Sequence, residues 1–219
     1  MNSQANDRAA SGADVIDLGP ALSLRGVRVH FERNAEIFGE GEPAEYLYRV
    51  VSGAVRKMRF SSDGRRQILA FCLPGDVFGL ELGDTHSLSA EAVNNAEIVM
   101  VRRSLIEKAA ADDPRAARCW LQYASDSLAK AREHALILGR KGANERVAAF
   151  LMLMSERCSR GQDFDLPMSR SDIADYLGLT IESVSRSFTE MERQHAITLP
   201  TSRHVVIDSR STLALMQAA

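Results

Sequence analysis

Hydrophobic and polar positions change rhythm twice along this chain. Over residues 1–21 (MNSQANDRAASGADVIDLGPA) small polar residues dominate without period, which predicts a loose tail. Over residues 22–108 short apolar stretches are broken by turn residues. Val27, Val29 and Phe31 alternate, and YLYRVV (46–51), AVRKMRF (54–60), QILAFCL (67–73) and IVMV (98–101) read as strands. Between two of them SSDGRR (61–66) is a hairpin signal centred on Asp63-Gly64. Gly53, Gly64 and Gly75 recur about every eleven residues, the turn spacing of an all-β roll.

The second change of rhythm is to helix. Asp113-Pro114 marks a start, with proline near a helix N-terminus. Leu121, Ala124, Leu128, Ala131, Ala135 and Leu138 then follow alternating steps of three and four, a heptad seam that predicts pairing of two helices. The same spacing also suits a long helix lying on the β-roll. GRKG (139–142) predicts a hinge over 139–143 with a left-handed glycine stop, and Asn144 a cap for the next helix. That helix buries Val147, Leu151 and Met154.

SRSDIADYLGLTIESVSRSF (169–188) holds two short helices around Gly178. Ser169 and Asp172 give an S-x-x-D start signal, and Thr180 caps the second helix. Ile181, Val184, Phe188 and Met191 recur at helical steps and fix its buried face, so Glu182, Ser183, Ser185, Arg186 and Thr189 point outward. Helix, glycine turn and helix form a helix-turn-helix. AITLP and HVVID around TSR add a hairpin, the wing. Arg186 suits guanine O6 and N7, Glu182 suits cytosine N4, and Ser185 suits a base or thymine edge. An exposed i, i+4 ion pair of Glu182 with Arg186 would use the same residues.

Composition alters this picture little. Apolar residues make up 45% of the 219 and net charge is −2, so any basic surface for nucleic acid is local. Cys72, Cys119 and Cys158 are widely spaced and read as reduced thiols of a cytoplasmic protein. No apolar run nears the ~18 residues of a membrane span, and no secretory leader is expected at Met1.

With these motifs in hand, the chain resembles the CRP/FNR transcription regulators, most of all their FixK-type members. The likeness runs from Leu22 to about Arg210 and rests on GAVRKMRFSSDGRRQILAFCLPGDVFG, LGRKGANERVAAFL and SRSDIADYLGLTIESVSRSF. It implies an α+β fold: an N-terminal cyclic-nucleotide-binding-like β-roll (22–108), a dimerisation helix (109–138) and a C-terminal winged helix-turn-helix (144–219). The E-x-x-S-R of FNR-like members falls on Glu182, Ser185 and Arg186, which implies base contacts in half-sites similar to TTGAT and ATCAA. Ser169, Arg170, Thr180 and Ser183 match phosphate-holding positions. The expected partners are a palindromic double-stranded operator, a second copy of the chain and RNA polymerase. Asp63, Gly64, Arg65 and Arg66 resemble the loop that touches the polymerase. The expected role is a regulator, an activator by resemblance, not an enzyme; the same contacts also suit a repressor, since sign depends on where the operator lies.

Departures from the family narrow the effector. Residues 1–30 hold no cysteine, so the iron–sulfur cluster of FNR is not expected. The cAMP turn needs a Glu after its Gly and an Arg about ten residues on. Here Leu80 follows Gly79, Glu81 is one step out of place, and no arginine lies between Arg66 and Arg102. Of five scattered histidines only His86 falls near the ligand region, too little for haem. The expectation is therefore no cofactor and no small effector. The rivals are an effector-gated sensor of the same fold, redox control through Cys72, Cys119 or Cys158, and a cupin-like metalloenzyme.

Overall fold

In a computed structural model the protein is described over residues 14–81, 83–140, 142–158 and 163–218. The chain divides into two compact units, Met1–Met58 with Phe71–Lys130, and Arg59–Ala70 with Ala131–Ala219.

The strands of the N-terminal half are β1 (Val15–Asp17), β2 (Ser23–Arg25), β3 (Val27–Phe31), β4 (Glu36–Phe38), β5 (Tyr46–Ser52), β6 (Val55–Phe60), β7 (Arg66–Cys72), β8 (Val77–Phe78), β9 (Ser89–Ala92) and β10 (Ala96–Arg102), of which the end of β6 and most of β7 fall in the second unit. Two four-stranded sheets, β3-β10-β5-β8 and β4-β9-β6-β7, make the roll. Successive side chains of a strand face opposite ways. On β10, Ala96 and Ile98 join Phe38, Tyr48, Val55 and Phe78 in one core, while Val99 and Val101 join Ile16, Leu22 and Leu47 in another. Both faces of β10 are thus covered, which is why its middle, Ile98 to Val101, reads as a continuous apolar run. At the β5–β6 turn Gly53 has φ +80, and a Cβ there would meet the Asn95 carbonyl at 2.4 Å.

Two readings of this region change. The tail over 1–21 is not loose throughout. Val15–Asp17 pairs antiparallel with Ser23–Arg25 and Ile16 is buried; three residues were too few to show a period. Residues 1–13 of that reading lie outside the described residues. Helix also begins earlier than 109, because α1 (Arg103–Asp112) precedes α2 (Pro114–Leu138).

Helix α2 uses different faces for the two readings of its spacing. Ala116, Cys119, Trp120 and Tyr123 pack into the second core of the roll, and the Tyr123 hydroxyl donates to the Val77 carbonyl at 2.7 Å. Of the seam, Leu121 and Leu128 are 68% and 51% exposed in the single chain, Ala131 and Ala135 are exposed, and Ala124 and Leu138 are half-buried. The helix does not end on a left-handed glycine. The Gly139 amide donates to Ala135 and the Arg140 amide to Ile137, so the last turn tightens instead. Lys141, within the hinge reading, lies outside the described residues.

The second unit holds α3 (Ala143–Cys158), β11 (Asp163–Asp165), α4 (Arg170–Leu177), α5 (Ile181–Arg193), β12 (Ile197–Thr198), β13 (His204–Ile207) and α6 (Arg210–Ala218). Val147, Leu151 and Met154 are buried as their spacing requires. Asn144 is not the cap of α3. It lies inside the first turn, and the Glu145 carboxylate accepts the Gly142 amide at 3.1 Å. The wing gains a strand that the sequence did not suggest, giving the order β11-β13-β12. Among the described residues no helix is long and apolar enough to cross a membrane.

Candidate nucleic-acid interface

Two short helices present the candidate residues, and each begins on a side-chain cap. At α4 the Ser169 hydroxyl oxygen accepts the Asp172 amide at 3.1 Å, while the Ser169 amide and hydroxyl donate to the Asp172 carboxylate at 3.0 and 2.7 Å. This is a complete capping box, which satisfies amides that a helix N-terminus leaves open. Gly178 ends α4 at φ 62, ψ 43, and the Leu179 amide turns back on the Ala174 carbonyl. That left-handed stop sets the corner between the helices. At α5 the Thr180 hydroxyl oxygen accepts the Ser183 amide at 3.2 Å.

Val184, Ser187, Phe188 and Met191 of α5 are buried. Ile181, Glu182, Ser185, Arg186 and Thr189 are exposed, and Ser183 is half-buried. The structure therefore brings Glu182, Ser185 and Arg186 together on one open face. Hydrogen bonds from its own backbone amide and from Thr180, with Arg186 nearby, hold the Glu182 carboxyl below its ordinary value. It stands there as an anionic acceptor beside a cationic donor.

The guanidinium carbon of Arg170 sits 3.2 Å from the centre of the Phe188 ring, a cation–π contact. Burial pulls its pKa down to about 10. Nη1 is buried with no hydrogen-bond partner among the described residues. A buried unpaired donor on a cation is costly. Ser169 is committed differently, because its hydroxyl already serves Asp172. Sequence reasoning missed Arg146, which donates to the Leu177 carbonyl at 3.0 Å and ties α3 to the end of α4. It lies 31 residues from that partner, and no local pattern announces such a pair.

In the wing, the Thr201 hydroxyl oxygen accepts the Arg203 and His204 amides. His204 bridges Asp165 at 2.9 Å and Asp163 at 3.2 Å. The hydrogen bond to Asp165 leads the causes that raise its pKa.

The turn after β6 divides its four candidates. Asp63 accepts from the Ser61 hydroxyl at 2.5 Å and pairs with Arg65 at 2.7 Å, and these bonds pull its pKa to about 2. Asp63, Gly64 and Arg65 lie exposed at the tip. Arg66 does not share that surface; it binds Asp175 and Asp172 at 2.7 and 2.8 Å.

In the roll, Glu81 accepts from the Ser87 amide and hydroxyl at 3.2 and 3.0 Å. His86 is buried and stacks on Phe38 with ring centres 3.6 Å apart, and burial lowers its pKa. Cys72 is buried, Cys119 and Cys158 half-buried. Among the described residues no group of three His, Cys, Asp or Glu could hold a metal.

Comparisons with known proteins follow this division. Residues 28–113 match the cyclic nucleotide-binding domain and residues 145–216 the Crp-like helix-turn-helix domain. The chain is 46% identical over 214 residues to the nitrogen fixation regulation protein FixK of Azorhizobium caulinodans, covering 95% of this chain and 84% of that protein. It is 42% identical to the protein of the same name from Rhizobium meliloti, covering 89% of each. Among solved structures it is similar to FixK2 from Bradyrhizobium japonicum, with TM-score 0.87 and 47% identity over 90% of this chain and 99% of that one.

Proposed function

The chain belongs to the CRP/FNR family of DNA-binding transcription regulators as a FixK-type member, and on that premise we propose that it works as a homodimer on a palindromic operator with half-sites similar to TTGAT and ATCAA. One observation carries this reading: Glu182, Ser185 and Arg186 stand exposed together on a helix whose opposite face is core. In a major groove, Arg186 would donate two bonds to guanine, Glu182 would accept from cytosine N4, and Ser185 would meet an adjacent base. Arg170, Thr180 and Ser183 would hold phosphates, and Ser169 would do so through the turn it caps. Such contacts fix register without reading sequence.

The seam of Leu121, Ala124, Leu128, Ala131, Ala135 and Leu138 would pair two chains in parallel. Exposed leucines on a long helix support this, since a lone chain leaves them in water. Two recognition helices would then lie about one duplex turn apart, roughly 34 Å, and the symmetric pair demands a symmetric site.

The same reading has the protein act without a small effector, in the cytoplasm, with RNA polymerase as partner. Its support is the roll: Leu80 follows Gly79, Glu81 is held by Ser87, and Phe38, Tyr48, Phe78 and His86 fill the interior as an aromatic cluster. Asp63, Gly64 and Arg65 at the exposed tip are the proposed polymerase contact. Selection of bound sequences from random DNA tests the whole proposal, and recovery of a palindrome with guanine at the Arg186 position is expected. Unselective binding would overturn it. Transcription in a purified system without additions tests effector independence, and a requirement for an added ligand would refute it. Substituting Asp63 and Arg65 should lower transcription while operator affinity holds.

A further inference from the structure

Two neighbouring arginines leave the 61–65 turn in opposite senses. The Arg65 side chain is 85% exposed and folds back on Asp63. The Arg66 side chain is 22% exposed and forks onto α4, with Nε 2.7 Å from Asp175 Oδ2 and Nη2 2.8 Å from Asp172 Oδ1. Gln67 adds a bond from Nε2 to the Asp175 carbonyl at 2.9 Å. His134 adds a third tie: its ring stacks on Tyr176 at 3.8 Å and bonds the Tyr176 carbonyl at 2.8 Å. Residues 66 and 67 thus reach α4, and all of these contacts lie inside the second compact unit.

We infer that Arg66 is a positioning residue for DNA recognition, holding the first turns of α4 and through them the seat of α5. The inference rests on the proposed reading of α5 as the base-reading helix. Asp172 is the link. Its side chain is only 7% exposed, and the same carboxylate that meets Arg66 completes the capping box with Ser169. A carboxylate so buried needs a cation and full hydrogen bonding. Without Arg66 the Asp172 carboxylate loses a charge-assisted hydrogen bond that holds it in place, which loosens the box. The turn so loosened carries Ser169 and Arg170, and the Arg170 guanidinium rests on Phe188 of α5. A line of direct contacts therefore runs from residue 66 to the recognition helix.

The test is operator affinity of the full chain across a salt series, with scrambled DNA beside it. Arg66→Ala should weaken operator binding about tenfold, as loss of a charged, half-buried hydrogen-bonded pair does. The slope of log K against log salt should stay at the wild-type value, because no phosphate contact is lost. Arg66→Asp combined with Asp175→Arg should return affinity to within about threefold, since the fork is rebuilt from the other side. A simple surface role predicts no such rescue. Should Arg66→Ala fail to fold, Arg66→Lys carries the test, with a loss of about threefold because an ammonium cannot span both carboxylates.

Wild-type operator affinity in Arg66→Ala or Arg66→Lys would overturn the inference, as would a slope lower by about 0.9, which marks a direct phosphate contact. Unchanged DNA binding with lost transcription would give Arg66 to an external partner and refute it equally. If the wild-type protein itself fails to prefer the operator over scrambled DNA, the parent reading has failed instead, and that arm stands apart from the others.

Discussion

The polar ties of the roll and the exposed face of α5 put polar side chains to different uses. In the roll they hold loops and strands to one another: Arg56 pairs with Glu91 and Asn34, Lys130 with Asp76, and Glu81 with Ser87. In the winged unit Glu182, Ser185 and Arg186 stand on an anchored helix facing outward, and among the described residues Arg170 Nη1 has no hydrogen-bond partner.

The contrast can be broken most forcefully at the seam. Leu128→Asp should leave a folded monomer by sedimentation and cut operator affinity at least ~100-fold, the scale on which two linked sites exceed one. An unaltered dimer with unaltered affinity would remove the symmetry argument. Next comes Arg186→Ala. It should lose about 1–3 kcal/mol of discrimination at the operator's guanine, measured by competition with base-substituted sites. Equal loss on operator and scrambled DNA would refute its base-reading role.

Arg170→Ala sharpens the comparison rather than breaking it. Affinity should fall about tenfold on every sequence, with the salt slope lowered by about 0.9. A sequence-dependent loss would place Arg170 among the base readers. The smallest effect belongs to His204. Its folded pKa is raised above the ordinary 6.5, first by Asp165. The stabilisation is therefore complete below about that ordinary value and is lost as pH rises through the raised one. Melting temperature should fall slightly over that range, and His204→Gln should flatten the profile. The exposed position of the pair keeps the effect slight.

What could be read in the chain beforehand was local. The buried face of α5 announces itself because Ile181, Val184, Phe188 and Met191 repeat at helical steps, although Ile181 at the helix start stays 47% exposed. The α4 start was legible as Ser169 and Asp172, and the box is there. The rest was not local. Arg66 meets Asp175 across 109 residues, so nothing near position 66 separated it from the polar tip of its hairpin. β1 and β11 are three residues each and derive their strand character from a partner strand. The cap at α3 went to Glu145, because a carboxylate reaching back from the first turn competes with an asparagine at the start. Arg170 against Phe188 is a contact between helices that spacing along one helix cannot reveal.

Gly178 has a consequence for how such proteins drift. A Cβ built there would meet nothing closer than the Arg146 guanidinium at 3.7 Å, an ordinary separation, while φ stays at +62. The corner therefore constrains a torsion and leaves volume free. Asparagine, which tolerates that torsion best among residues with a side chain, is the replacement expected to keep one helix from tilting against the next, whereas valine or isoleucine would strain the corner.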